Sequence, residues 1–252
     1  MVEGVGFQRM CERLSHFEEM SLRVGLVGER LESLTDGEAA HFLSAAYQDA
    51  ALRGPAAQPV FLPVALALFR PTLLSRRAEL SATARQLGLH DVADCLSSSA
   101  DDAEQAAQRC APELGRGRPL TLGERKALAR THDRRLIERV VRDPHPDVIR
   151  ILLNNPALTE DDVVRAGAAR PNSAQVLRVV FEHQRWVVRY RPRNSLVRNP
   201  RCPLDVALLL APLLRHADLR EVSSSGDLAP PLRLACKNVL AARSSNTELA
   251  DP

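Results

Sequence analysis

The segment Arg185-Trp-Val-Val-Arg-Tyr-Arg-Pro-Arg-Asn-Ser-Leu-Val-Arg-Asn-Pro-Arg201 gathers the residues best suited to chemistry with an anion. Six arginines lie between His183 and Leu204 with no acid among them, together with the chain's single Trp and one of its two Tyr. A guanidinium fork binds phosphate or carboxylate through two parallel hydrogen bonds, and an aromatic face stacks on a base or on another guanidinium. Arg185, Trp186, Arg189, Tyr190, Arg191, Arg193, Arg198 and Arg201 are therefore the candidate residues for binding a partner or an anion. If all six arginines met phosphates, log affinity would fall with log salt at a slope of roughly −5. The competing reading is a solvated edge, with Trp186 in the core and the arginines paired to Asp161, Asp162 and Glu182.

Other chemistry has less support. The seven histidines form neither HxH nor HExxH. Asp143 and His145 flank Pro144, and His132-Asp133 precedes an apolar run; both read as turn and cap residues rather than metal ligands. Cys11, Cys95, Cys110, Cys202 and Cys236 are widely spaced without a CxxC pair, so neither a disulfide framework nor a cysteine metal site is expected. No GxSxG elbow, Walker loop or GxGxxG turn is present. Asp161-Asp162 at a helix start is explained by the helix dipole. The expectation is a chain with no catalytic residues, metal or cofactor, and hence not an enzyme.

The elements that must position the basic segment read as helices. Aromatics make up only 4% of the chain, and the apolar volume is Leu, Val and Ala, which suits helix packing better than sheets. Phe7, Met10, Leu14, Phe17, Met20, Val24, Val27, Leu31 and Leu34 recur at three- or four-residue steps, one stripe along a helix that Gly25 and Gly28 would break. Thr35-Asp-Gly-Glu38 and Thr121-Leu-Gly-Glu124 are capping boxes. Between them the pattern predicts a loop at Gly54–Pro59, a buried helix at 60–69, a helix from Pro71 to Gly88, and helices at 91–97 and 101–112, followed by a linker at 114–119. Beyond it, Asp133 caps 134–142, a turn at 143–146 leads to a helix at 147–154, Asn155-Pro156 stops it, Thr159 caps 160–169, and a further helix spans 173–184. No period-two segment of any length predicts a strand.

Leu152-Leu-Asn-Asn-Pro156-Ala-Leu-Thr-Glu-Asp161 recurs as Leu196-Val-Arg-Asn-Pro200-Arg-Cys-Pro-Leu-Asp205, with Leu, Asn, Pro and Asp in register. The stretch from Leu136 echoes the stretch from Val176, and 219–240 reads as a frayed third copy. His145-Pro-Asp-Val-Ile-Arg-Ile-Leu-Leu-Asn-Asn-Pro-Ala-Leu-Thr-Glu-Asp-Asp-Val163 resembles the bacterial leucine-rich-repeat-variant and HEAT-like repeats. The resemblance covers about 133–243 and implies a curved stack of helices used for binding. The iron–sulfur cluster of one such relative is not implied here, because its clustered cysteines are missing. Trp186, Pro192 and Pro212 depart from the simple repeat.

The expected architecture is all-α: a short right-handed α-solenoid of HEAT-like helical repeats at 120–243, an N-terminal helical bundle or cap at 1–115, and a disordered tail at 244–252. A helix pair cannot bury its apolar face alone, so neighbours must stack and the ends need a cover. Residues 1–115 hold 10 basic and 16 acidic residues, and 116–243 hold 24 and 13, an asymmetry that points to an acidic partner for the basic half. The expected function is a non-catalytic interaction module, a scaffold or adaptor for a protein with an acidic surface. The alternative is a nucleic-acid binder using 185–201. The charged N-terminus does not read as a signal peptide, and the longest apolar run, Val60–Phe69, is too short to span a bilayer, so a cytoplasmic location is expected. The preference for Arg over Lys suggests a bacterial genome rich in GC. Oligomeric state is left open.

Overall fold

The computed structural model describes residues 3–97 and 119–250, and among them there is no β-strand. The acidic helix expected at 101–112 lies outside the described residues, as does most of the linker expected at 114–119. The chain divides into two compact units, Met1–Ser98 with Ala207–Pro252, and Ser99–Val206.

The first unit opens with α1 (Glu3–Ser15), α2 (Met20–Ser33) and α3 (Asp36–Arg53). Phe7, Met10, Leu14, Val24, Val27, Leu31 and Leu34 are buried, as their spacing predicts. The break falls at 16–19 rather than at the glycines. Gly25 and Gly28 both lie inside α2, where the Arg70 Nη1 donates to the Gly25 carbonyl at 3.1 Å. A Cβ on Gly28 would come within 1.9 Å of that nitrogen, so this glycine makes room for an arginine. The Thr35–Glu38 capping box forms and starts α3 at Asp36. The expected loop after α3 is a 3-10 turn at Gly54–Ala57 leading into α4 (Gln58–Ala67), with α5 (Pro71–Gln86) and α6 (His90–Leu96) beyond it. Gly88 supplies the left-handed φ of +74° that ends α5.

Residues 207–250 belong to this unit by compactness, whereas the sequence groups 207–243 with the basic half. A second 3-10 turn (Ala211–Leu213), then α15 (His216–Ser224) and α16 (Pro230–Ala250), follow the unit boundary, and α16 packs on α15 and α3. One arginine ties the group together. Arg243 donates from Nε to the Ala51 carbonyl at 2.7 Å, from Nη1 to Leu214 at 2.9 Å and from Nη2 to Pro212 at 2.8 Å. Helix α16 continues to Ala250, through most of the stretch expected to be a disordered tail.

The second unit holds α7 (Leu122–Leu128), α8 (Arg134–Val140), α9 (Pro146–Leu153), α10 (Glu160–Ala168), α11 (Ala174–Glu182), the short α12 (Gln184–Val187) and α13 (Tyr190–Val197), with the unit boundary inside α14 (Leu204–Leu210). The caps fall where the sequence puts them: Thr121, Asp133, His145 and Thr159 each accept from an amide of the helix they start. Helix α9 packs on α7, α8 and α11, while α13 packs on α10, α11 and α12.

The two Asn-Pro stops make matching sets of hydrogen bonds. Asn155 Nδ2 donates to the Ala129 and Thr131 carbonyls at 3.0 and 2.7 Å, and its Oδ1 accepts from Ala157 N at 2.9 Å. Asn199 Nδ2 donates to Gly167 and Ala169 at 2.7 and 3.1 Å, and its Oδ1 accepts from Arg201 N at 3.0 Å. Each asparagine thus closes its own turn and satisfies carbonyls at the end of an earlier helix, which would otherwise be left without partners. A forked ion pair accompanies each. Arg134 holds Asp162 at 2.7 and 2.9 Å, and Arg178 holds Asp205 at 3.2 and 3.1 Å. The sequence aligns Asp205 with Asp161, which is the equivalent backbone position, but the carboxylate that meets the arginine in the first copy is the next one, Asp162.

Removing either asparagine side chain strands one buried and one part-buried carbonyl and an amide. Asn155→Ala and Asn199→Ala are therefore each expected to lower unfolding free energy by about 1–3 kcal/mol, by similar amounts, in urea titrations. Burial raises the Asp162 carboxyl pKa, but the Arg134 fork and the Thr159 hydroxyl and amide outweigh it and bring it down to about 2. The folded value is thus depressed below an unfolded value of about 3.9, so the carboxylate contributes about 2 kcal/mol at neutral pH that fades as pH falls from about 5 towards 2. Asp162→Asn should cost clearly more stability at pH 7 than at pH 3 by the same titration.

Candidate functional site

The candidate residues at 185–201 span α12, a turn, α13 and the Asn-Pro stop after it. Trp186 is buried, and its Nε1 donates to the Leu153 carbonyl at the end of α9 at 2.8 Å. Arg185 and Arg189 lie over its ring, at 4.5 and 5.1 Å from guanidinium carbon to centroid. The indole therefore serves the packing of α12 on α9 and presents no open face for stacking a base.

The arginines fall into different situations. Arg189 Nη1 donates to Glu160 Oε2 at 2.9 Å, and Arg191 Nη1 to Asp161 Oδ1 at 2.6 Å. Both acids sit in the first turn of α10, where the helix dipole also favours negative charge. The sequence anticipates Asp161 as a partner, whereas Asp162 is held by Arg134 and Glu160 takes the other place. Arg198 donates from Nε to Asn194 Oδ1 at 3.1 Å, and its carbonyl accepts from Arg170 Nη2 at 2.8 Å. Arg185, Arg189, Arg191 and Arg201 are exposed, and Tyr190 is half-buried.

Arg193 is only 1% exposed. Its Nε and Nη1 have no hydrogen-bond partner among the described residues, and its guanidinium carbon lies 5.9 Å from the Tyr190 ring centroid. Burial lowers its pKa to about 10. It is a desolvated cation facing a ring rather than a carboxylate, a costly arrangement.

The turn motif Asp143-Pro-His-Pro146 acts structurally. Asp143 Oδ1 accepts from Arg125 at 2.6 Å and from His145 N at 2.9 Å, while His145 Nδ1 accepts from Asp147 N at 3.1 Å and caps α9. Among the described residues no three His, Cys, Asp or Glu side chains converge, and no single helix is long and apolar enough to cross a membrane.

A second basic feature was not visible in the sequence. Arg142, Arg165 and Arg170 line a groove of about 660 Å³ together with Val141, Pro144 and Pro171, and no carboxylate is in the lining. These arginines come from the end of α8, from α10 and from the turn before α11. They stand too far apart in the chain to register as a charge run, so only the packing of these elements reveals them. Comparison with protein-family models, with curated proteins and with solved structures finds no match.

Exchanging a buried, unpaired cation for an apolar side chain of similar volume removes a desolvation cost. Arg193→Met is expected to raise, not lower, the unfolding free energy obtained from urea titration at pH 7, by about 1–4 kcal/mol. If Arg193 instead holds an anion, added phosphate should stabilise the wild type and leave the variant unmoved.

Proposed function

We propose that this chain is a non-catalytic binding module whose second unit is a short run of HEAT-like helical repeats, and that its partner is a protein with an acidic surface. The observation that supports the reading best is the pair of Asn155 and Asn199 tethers. The same side chain makes the same bonds to the end of an earlier helix, with α9 and α13 starting at Pro146 and Tyr190 and ending at Leu153 and Val197. A recurring tether of this kind is how one helix set registers on the next in stacked repeats, whose surfaces serve recognition.

Charge supports the nature of the partner. Residues 119–206 carry 17 basic and 10 acidic residues. A surplus of this sign raises the encounter rate with acidic surfaces and penalises basic ones. The burial of Trp186 and the position of Tyr190 beneath Arg193 favour a protein over a single-stranded nucleic acid, which needs open aromatic faces.

The experiment is affinity capture with the full chain at near-physiological salt, followed by binding measurements on the recovered protein. The expected result is an acidic protein whose dissociation constant rises with salt. Consistent failure to recover any partner would overturn the reading. Gel shifts with short DNA and RNA at low salt test the nucleic-acid alternative, and retarded bands in place of protein capture would establish it.

A further inference from the structure

Inside the second unit, the groove lined by Arg142, Arg165 and Arg170 differs in kind from the 185–201 segment. Arg189 and Arg191 spend their charge on Glu160 and Asp161. Arg142 is exposed, and its guanidinium has no hydrogen-bond or ion-pair partner among the described residues. Arg165 is 59% exposed and reaches Glu138 only at 4.0 Å and Asp162 only at 3.7 Å. Both of those distances are too long for a hydrogen bond, and the Asp162 carboxylate is already committed to Arg134. Arg170 anchors one nitrogen on the Arg198 carbonyl, which fixes its side chain at the groove edge.

Apart from these cations and Asn172 the lining is apolar, from Val141, Pro144, Ala168, Ala169 and Pro171. A concave apolar site ringed by a few oriented polar groups is the usual form of a recognition pocket. The lining offers no aromatic face on which a base could stack, and most of it is apolar. That combination fits a side chain entering the groove with carboxylates on either side of it.

We infer that this groove is the docking site for an acidic peptide segment of the partner protein, an apolar residue seated against Val141, Pro144 and Pro171 and flanking carboxylates paired to Arg142 and Arg165. The inference rests on the reading of the chain as a binding module for an acidic protein and adds where, and through which residues, that protein is held.

The test is fluorescence anisotropy with the full chain and three labelled probes: an acidic peptide with one central leucine, the same peptide with serine in its place, and a single-stranded oligonucleotide. The leucine peptide should bind best, the serine peptide more weakly, and both less tightly as salt rises. Arg142→Glu with Arg165→Glu should weaken the leucine peptide by about tenfold or more. Arg130→Glu with Arg135→Glu makes the same change of charge on exposed residues outside the lining and should cost no more than about twofold. The pair Arg142→Ala with Arg165→Ala, with helicity followed by circular dichroism, guards against a fold defect and should lose binding in the same order. Equal losses in the two Glu pairs would overturn the groove, as would an oligonucleotide that binds more tightly than either peptide and is lost in the groove variant. A captured acidic partner that the groove variant still holds would also sink the docking site while leaving the binding-module reading intact. Loss of that reading itself would show as no acidic partner bound by the wild type.

Discussion

A chain cut into many short helices must find partners for many helix ends, and satisfying those terminal carbonyls governs this structure. Each α-helix leaves four C=O groups at its C-terminus without intrahelical donors. In a long helix these are a small fraction of the backbone, but in helices of seven to nine residues such as α7 to α11 they rival the internal bonds in number. Side-chain donors therefore recur at helix ends: Asn155 on Ala129 and Thr131, Asn199 on Gly167 and Ala169, Trp186 on Leu153, and Asn172 on Ala166. In the first unit arginine does the same work. Arg76 reaches Leu31 and Leu34, and Arg243 reaches Ala51, Leu214 and Pro212.

This changes what an arginine-rich composition means. Five donors in a planar fork make arginine a multivalent cap for backbone carbonyls as well as a ligand for phosphate and carboxylate. A guanidinium that has met its acceptors inside the fold contributes long-range field but little short-range capture. The six arginines of 185–201 illustrate the range, from Arg189 and Arg191 paired with first-turn acids of α10, to Arg185 lying with Arg189 over an indole, to Arg193 buried beside a tyrosine. Local basic density and local availability are separate quantities, and here they separate by location: the densest run is largely engaged, while Arg142, whose guanidinium has no partner among the described residues, stands elsewhere.

The paired tethers also bear on how a structure of such small pieces holds together. Ile137 and Val140 of α8, like Leu177 and Val180 of α11, are fully buried, yet each of these helices is too short to be stable alone. Their stability comes from tertiary packing, and the asparagine amide fixes the spacing at which that packing occurs. The Arg134–Asp162 and Arg178–Asp205 forks add orientation, because a bidentate pair with an almost fully buried carboxylate tolerates little rotation.

Much of this was legible in the residues themselves. The all-helical class followed from the low aromatic content and three-four periodicity. The starts of α3, α7, α8 and α10 followed from Thr35, Thr121, Asp133 and Thr159, because a cap bonds within its own turn and local sequence is enough to specify it. The Asn-Pro stops were equally readable, since proline lacks an N–H donor and disfavours helix continuation, and the asparagine before it is pushed away from helical geometry. What the sequence could not decide was anything set by distance in space. The grouping of 207–250 with the first unit depends on α16 packing against α3, where Arg243 meets the Ala51 carbonyl, the choice of Asp162 over Asp161 depends on where Arg134 arrives, and the groove depends on three arginines from separate elements lining one volume. Caps and breaks are short-range and can be read one turn at a time. Which charge is spent and which is left exposed is settled only when distant segments meet.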